Sequence, residues 1–381
     1  MKILTVGGAM IDTIAVIAND RIERMTMRNA ETSFLLMEEG RKVEADEVST
    51  HCGGGAVNAA VACARLGHDV AALIKLGQDA RADTILRRLT DEGVSTRFAV
   101  RDARAPTGAS VLVSAHDRNA AVFTFRGANT LLEAADIKAD AFAVDLVYVA
   151  GLSNESAACF PPIIELAKSQ GAMVATNPGI RQLSARQGAF RDLIAKIDIL
   201  TLNRVEAGAL VPWLVASGGE GGPALAQRPG EILPDLALRG FAVGGFELSL
   251  AGFVGRICRL GPQWVVITDG RDGAYIGTAA EILHCPAAPA TIVGSAGAGD
   301  AYNATFAAIV AAATGTKMAG LKASGGTTGA NVAADAAVAA ATNAASVIAH
   351  LDTQTGLLTR AALDTAVRNV RTKLQLRRWA L

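Results

Sequence analysis

Residues 297–313 read GAGDAYNATFAAIVAAA: Gly297-Ala298-Gly299-Asp300, then at once an apolar helical run over 301–313. Glycines ahead of a helix start let exposed N–H groups approach an anion, and the helix N-terminus adds about half a positive charge there. By position alone Asp300 is an N-cap. Beside an anion cradle the same carboxylate can instead take a proton from an attacking hydroxyl. The residues around the segment have to decide between these roles.

Outward from it, short and nearly continuous apolar runs at 3–6, 70–76, 146–150, 173–176, 199–202 and 264–268 predict strands covered on both faces. Helical patterns at 57–66, 80–92, 161–170 and 248–260 lie between them. This alternation predicts a mostly parallel sheet with helices on both sides. Two segments break the pattern. The polar stretch 19–49 holds the runs 32–37 and 42–48, and 107–127 holds the runs 108–114 and 120–125 split by a turn at 115–119. Both read as hairpin material outside the main sheet, a small second layer or lid contributed by about 13–50 and 107–127. The Gly- and Pro-rich stretch 212–245 reads as a surface insertion or mobile loop. The Ala-rich stretch 319–349 carries a break at Gly325-Gly326 before a long small-residue helix.

The chain has 381 residues, 51% hydrophobic but only 4% aromatic, so its core is built from Ala, Val, Ile and Leu. Lys+Arg and Asp+Glu balance at 36 each, which gives no general electrostatic drive toward nucleic acid or an anionic membrane. Five scattered cysteines without a CxxC pair indicate reduced thiols in a reducing compartment, and five histidines without HExxH or HxH spacing give no metal motif. The apolar N-terminus, interrupted by Asp12, reads as a first strand over 1–7 rather than a signal peptide, and the later run 301–313 is too short to span a bilayer. The expectation is a soluble, cytoplasmic enzyme.

A second glycine cluster, Gly53-Gly54-Gly55-Ala56-Val57-Asn58, opens a helix that ends at Arg65-Leu66-Gly67. It is either a tight loop with a helix cap or a place where backbone closes on a ligand, with Asn58 offering both a donor and an acceptor. Asp12 follows strand one, where an acid at a strand's C-terminal edge suits hydroxyl recognition or simply caps a loop. Neither GxGxxG nor GxxxxGKS follows strand one, so a dinucleotide site of the usual kind and a P-loop are both disfavoured.

Together these pieces resemble the ribokinase-like (PfkB) carbohydrate kinase family over nearly the whole chain. The Gly53–Gly67 stretch is similar to one family signature and residues 297–300 to the other; Asn203-Arg204-Val205-Glu206 is similar to the family's NxxE, and 268–273, TDGRDG, to its TxGxxG nucleotide loop. Gly127-Ala128-Asn129 is also similar to family members. The resemblance implies a three-layer α/β/α ribokinase-like fold, one kinase domain over 1–381 with a small β-sheet lid, and a phosphotransferase acting on an alcohol group. Asp300 would be the base, and Gly297, Ala298 and Gly299 would hold the γ-phosphoryl oxygens. Asn203, Thr268, Asp269, Gly270 and Gly273 would line ATP, with Asn343 near the adenine. Glu206 would help place Mg²⁺ through water. Asp12, Gly54, Gly55 and Asn58 would hold a sugar. The lid strands would pair two copies into a homodimer.

Two departures stand out. Where the family commonly has DTTGAGD, this chain has Gly294-Ser295-Ala296 before its GAGD, so the carboxylate that helps hold an activating monovalent cation is missing and such activation is not expected. After the strand at 146–150, Gly151-Leu152-Ser153 offers no Glu to contact a sugar, which weakens ribose as the acceptor. Arg126 either meets the substrate or is a solvated lid residue. The alternative acceptor is a nucleoside, its base clamped by Phe34, Phe123 and Phe125. A non-catalytic ligand-binding member of the fold is opposed by the intact GAGD, and an NAD-dependent oxidoreductase lacks its fingerprint.

Overall fold

The computed structural model describes residues 1–18, 23–26, 33–36, 39–40, 42–115, 120–185, 187–315 and 327–381. Its centre is a nine-stranded sheet in the order Arg377–Ala380, Glu281–Cys285, Ala274–Gly277, Trp264–Thr268, Ile199–Asn203, Met173–Asn177, Leu146–Ala150, Lys2–Val6, Asp69–Leu73. From Asp69–Leu73 to Trp264–Thr268 every join is parallel, and the remaining three joins are antiparallel. The parallel strands are apolar on both faces because both faces are covered, and Leu146–Ala150 is buried throughout. Alternate residues feed two cores. Ile3, Tyr148 and Ile199 point into one, with the helices Gly55–Arg65, Ala298–Thr314 and Thr327–Val347; Leu4, Val149 and Leu200 point into the other, with Phe160–Ser169, Arg204–Gly218 and Leu250–Leu260. The result is the expected α/β/α layering. The antiparallel edge, including the C-terminal strand, has no counterpart in the sequence reading.

A second sheet has the order Ala120–Phe125, Gly108–Ala115, Met10–Ile17, Glu47–Gly53. Its members come from the two segments expected to form it, with three differences. Met10–Ile17 starts the sheet immediately after strand one, ahead of the expected boundary at 13. The expected run 42–48 is irregular up to Asp46, and the strand is Glu47–Gly53, because pairing follows Met10–Ile17 from Met10↔Gly53 to Val16↔Glu47. Glu23–Thr26 and Ser33–Leu36 pair with each other and not with this sheet. Of the run 32–37 only Ser33–Leu36 is described. Residues 116–119 of the expected turn and the break at Gly325-Gly326 lie outside the described residues.

The expected insertion 212–245 differs at its start: the helix Arg204–Gly218 continues through Pro212, residues 219–234 are largely irregular, and the chain then forms Asp235–Arg239 and Phe241–Val243. An interior proline costs about 3 kcal/mol. Burial of Leu210, Val211, Leu214 and Val215, at about 1.5–3 kcal/mol per side chain, outweighs it. The run 70–76 likewise splits: Asp69–Leu73 stays in the main sheet, and Lys75–Gly77 leaves to pair with Val100–Asp102. All five cysteines are free, and among the described residues no helix is long and apolar enough to cross a membrane.

Candidate active site

The parallel strands end along one edge of the sheet, where ligands bind in open α/β folds. Gly7, Gly151, Asn177, Asn203 and Thr268 stand at or just beyond those ends, Asn203 in register with Thr268 and Asn177 with Ala150. The helix Ala298–Thr314 begins above this edge with Gly297 as its N-cap. Ala301 is the first residue to bond back, to the Gly297 carbonyl at 2.9 Å, which leaves the N–H groups of Ala298, Gly299 and Asp300 without an acceptor inside the helix. Gly297 has φ +78°, and a Cβ there would lie 2.6 Å from Thr353 Cβ. Gly299 is its opposite: no atom lies within 4 Å of where its Cβ would be. The cradle is open on that side.

Asp300 is the third residue of the helix and does not cap it. Its Oδ2 accepts from Asn58 Nδ2 at 2.8 Å, and a Cβ on Gly55 would sit 3.5 Å from Oδ1. Burial raises the Asp300 pKa above the usual carboxylate range; the Asn58 bond opposes this and the charge of Asp12 adds to it. A carboxylate with raised proton affinity at the mouth of an anion cradle has the properties of a general base.

Asn58, expected on the sugar, supports Asp300 with its side chain. It is 3% exposed. While its amide donates to Asp300, its Oδ1 accepts from Thr353 Oγ1 at 2.9 Å and Gln354 Nε2 at 3.0 Å. The support extends further out. Arg88 Nε donates to Gln354 Oε1 at 3.0 Å, and Arg65 donates to the carbonyls of Gln354 and Leu357 while pairing with Glu92. Arg65 at the end of the Gly55–Arg65 helix therefore fixes the loop that fixes Asn58. Gly54, with φ +97°, lets this helix begin against strand one, since a Cβ there would lie 2.5 Å from the Gly8 carbonyl oxygen.

Asp12 lies on the second sheet in a row with Ser110, Thr124 and His51. Its Oδ1 accepts a short bond from Ser110 Oγ, and its other oxygen occupies the space a Cβ on Gly53 would need. Burial raises its pKa, against the Ser110 bond and the His51 charge. Since Asp12 is also felt at Asp300, this face of the sheet looks onto the base. Phe123 and Phe125 belong to the alternate rows and point from the other face, so they do not form the nucleoside clamp that the sequence suggested. Phe34 lies on the separate strand Ser33–Leu36. Between the sheets is a cleft, open to solvent, lined by Gly7, Gly55, Arg126, Ser153, Asn177 and Asp300 among others.

On the other side of the cradle, Asn203 and Glu206 form a reciprocal capping box: Glu206 N–H donates to Asn203 Oδ1 at 2.8 Å, and Asn203 N–H donates to Glu206 Oε2 at 2.9 Å. Asn177 Nδ2 also donates to Glu206 Oε2, at 3.3 Å. Burial is the main cause that raises the Glu206 pKa, and the nearby charge of Asp300 adds to it. Thr268, Gly270 and Gly273 form the turn after strand Trp264–Thr268. The Asp269 side chain is 9% exposed, with its carboxylate 3.6 Å from Arg204. Asn343, expected near the adenine, is fully buried, donates to Thr305 Oγ1 at 2.8 Å and accepts from Leu358 N–H at 2.9 Å, and so ties two helices and a loop together.

The sequence reading missed Asn177, which stands at a strand end as Asn203 does, and Ser110, Thr353 and Gln354, which carry no local signal. Gly127-Ala128-Asn129 gains a function here: Asn129 accepts from Ala9 N–H at 2.9 Å and donates to the Ala9 carbonyl at 2.8 Å, pinning the loop ahead of Asp12.

Comparison with known proteins agrees with this geometry. A family model described as pfkB family carbohydrate kinase matches residues 15–213 and 255–360. A deoxyribokinase of Salmonella typhi is 28% identical over 301 residues, 77% of this chain and 84% of that protein. A ribokinase of Staphylococcus aureus is 24% identical over 270 residues, 70% and 77% of the two chains. Among solved structures, ribokinase from Giardia lamblia superposes with a TM-score of 0.72 at 19% identity, covering 97% of this chain and 98% of that one. Arabidopsis thaliana ribokinase, solved with ribose and ATP, gives 0.67 at 18% identity over 96% and 98%. The chain is thus a phosphotransferase that acts on a sugar hydroxyl, and it belongs to the pfkB family of carbohydrate kinases.

Proposed function

We propose that the chain transfers the γ-phosphoryl group of ATP to a hydroxyl of a sugar, with Asp300 as the base. The observation that carries this is the juxtaposition at one helix start: three N–H groups free to receive phosphoryl oxygens, and on the same turn a carboxylate facing the cleft. Asp300 takes the proton as the hydroxyl attacks in line, while the N–H groups of Ala298 and Gly299, oriented by Gly297, receive charge that shifts onto the transferred group. Asp12 orients the acceptor from the second sheet, beside the backbone of Gly54 and Gly55. Asn203, Thr268, Gly270 and Gly273 line the nucleotide, and Asp269 holds its turn through Arg204.

The residues suit a hydrated divalent cation. Glu206 and Asp300 are two oxygen donors of like charge that raise one another's cost of ionisation, and Glu206 is fixed by Asn203 and Asn177. Mg²⁺, when bound, would offset charge on the phosphates. Glu206 would hold it through water, since its Oε2 is already engaged.

The test is coupled ADP release with Mg-ATP against hexoses, pentoses, sugar acids and nucleosides, for the wild type and Asp300→Asn. The variant should bind nucleotide normally and turn over about two to four orders of magnitude more slowly. Retention of more than a tenth of wild-type turnover, with chemistry rate-limiting, assigns the base elsewhere.

A further inference from the structure

Arg126 follows the strand Ala120–Phe125 and lines the cleft that also holds Asp300. Its guanidinium is partly buried, and Nη1 donates to Ser153 Oγ at 2.7 Å. That hydroxyl is neutral. Two other partly buried arginines are treated differently: Arg65 pairs with Glu92, and Arg204 with Asp235 and Asp269. Among the described residues no carboxylate forms an ion pair with Arg126, Asp300 included. Burial disfavours its charged form, and the positive charge of Arg181 acts in the same direction.

A partly desolvated cation beside a second positive charge is unfavourable unless an anion completes it. A guanidinium presents a planar fork of donors suited to the two oxygens of a carboxylate or phosphate. Here one arm of that fork is anchored on Ser153, and the side chain lies against the space a substrate must fill. Neutral sugar hydroxyls could accept from it, but they would leave the charge uncompensated. The same stretch, Gly151-Leu152-Ser153, supplies no acidic side chain.

We propose that the acceptor is an anionic sugar, a sugar acid or a sugar phosphate monoester, whose carboxylate or phosphate is received by Arg126 and Ser153 while another of its hydroxyls faces Asp300. This rests on the cleft being the acceptor site of a sugar kinase, as proposed above.

Calorimetric binding without nucleotide, at fixed ionic strength, separates the two claims. The probes are matched sets: pentoses and hexoses, their aldonic and uronic acids, and their monophosphates. At least one anionic member should bind about 10- to 100-fold more tightly than its neutral parent, as for a charge-assisted pair. The acid and phosphate arms show which anion is meant. Arg126→Gln should erase that preference, and Arg126→Lys, which keeps the charge but not the fork, should retain part of it. If no anionic probe is preferred by the wild type, or if the preference survives in Arg126→Gln, the proposal is overturned. Because the wild-type measurement decides by itself, a poorly folding variant does not protect the idea. Anion-selective binding without ADP release from Mg-ATP would instead refute the kinase reading and leave the anion site standing.

Discussion

Asp300 gains its proton affinity mainly from burial, and Asn58 takes some of it back by donating to the charged form. The sign of the pH dependence follows. A base with a raised pKa is lost by protonation as the pH falls through that value, so the acid limb of kcat/KM should lie above the usual carboxylate range. Removing the Asn58 donor raises the pKa further, since the bond favours the ionised form. Asn58→Ala should therefore move the acid limb to higher pH. It should also slow turnover by about 10- to 100-fold through loss of alignment. The charge that adds to the proton affinity of Asp300 is that of Asp12, and the charge of Asp300 in turn raises the pKa of Glu206 and of the Tyr148 hydroxyl. A pH–rate profile checks this. A slower enzyme with an unmoved acid limb would make Asn58 a packing or binding residue only.

At the scale of the element, the start of the helix Ala298–Thr314 uses two glycines for different reasons. Gly297 is needed by the fold, because its φ of +78° and the nearby Thr353 leave no place for a side chain. Gly297→Ala should destabilise the protein by about 1–3 kcal/mol and abolish activity. Gly299 lies within the helix with open space beside it, so Gly299→Ala should leave stability unchanged or raise it by about 0.5–1 kcal/mol. It should still lose activity, because the methyl group would occupy the open side of the cradle. Thermal unfolding together with turnover separates the two; a Gly299→Ala enzyme with normal turnover would place the phosphate elsewhere. The loop before this helix carries a further consequence. A Cβ on Gly294 would lie 3.0 and 3.2 Å from the carbonyl oxygens of His350 and Leu351, and Asp352 Oδ1 accepts from the N–H groups of Gln354 and Thr355. With no carboxylate at position 294, turnover should be independent of K⁺ when a bulky organic cation holds the ionic strength. Saturable, several-fold activation by K⁺ would show that carbonyls alone suffice.

For the whole molecule, the second sheet poses the question of what covers it. Its face opposite Asp12 exposes Val111, Phe123 and Phe125, at 44%, 56% and 53%. Among the described residues Ala120–Phe125 is an edge strand without a further partner. Exposed apolar rows beside an open edge call for cover, and a second copy of the same sheet supplies it. We expect a homodimer joined through these sheets, dissociated by Phe123→Lys. Light scattering at micromolar concentration gives the answer, and a monomeric mass for the wild type would remove the argument.

The layering and the cradle were legible in the sequence because they rest on local rules: continuous apolar runs for strands covered on both faces, helical spacing between them, and glycines at a helix start. The GAGD segment and the glycine cluster at 53–58 could be read for the same reason, whereas Asn203 and Glu206 were picked out by similarity to the family's NxxE. What the tertiary structure alone decided depends on residues far apart in the chain. Asn58 faces Asp300 and not open cleft because Thr353 and Gln354, almost 300 positions on, occupy its other side. Asn343 is a clamp because Thr305 and Leu358 close around it, and Phe123 and Phe125 point away from the base because strand pairing sets which alternate side chains share a face with Asp12. Arg126 is lining and not solvated lid for a related reason. Its place is set by Ser153 across the cleft, and a single sequence carries no record of which distant hydroxyl a guanidinium will meet.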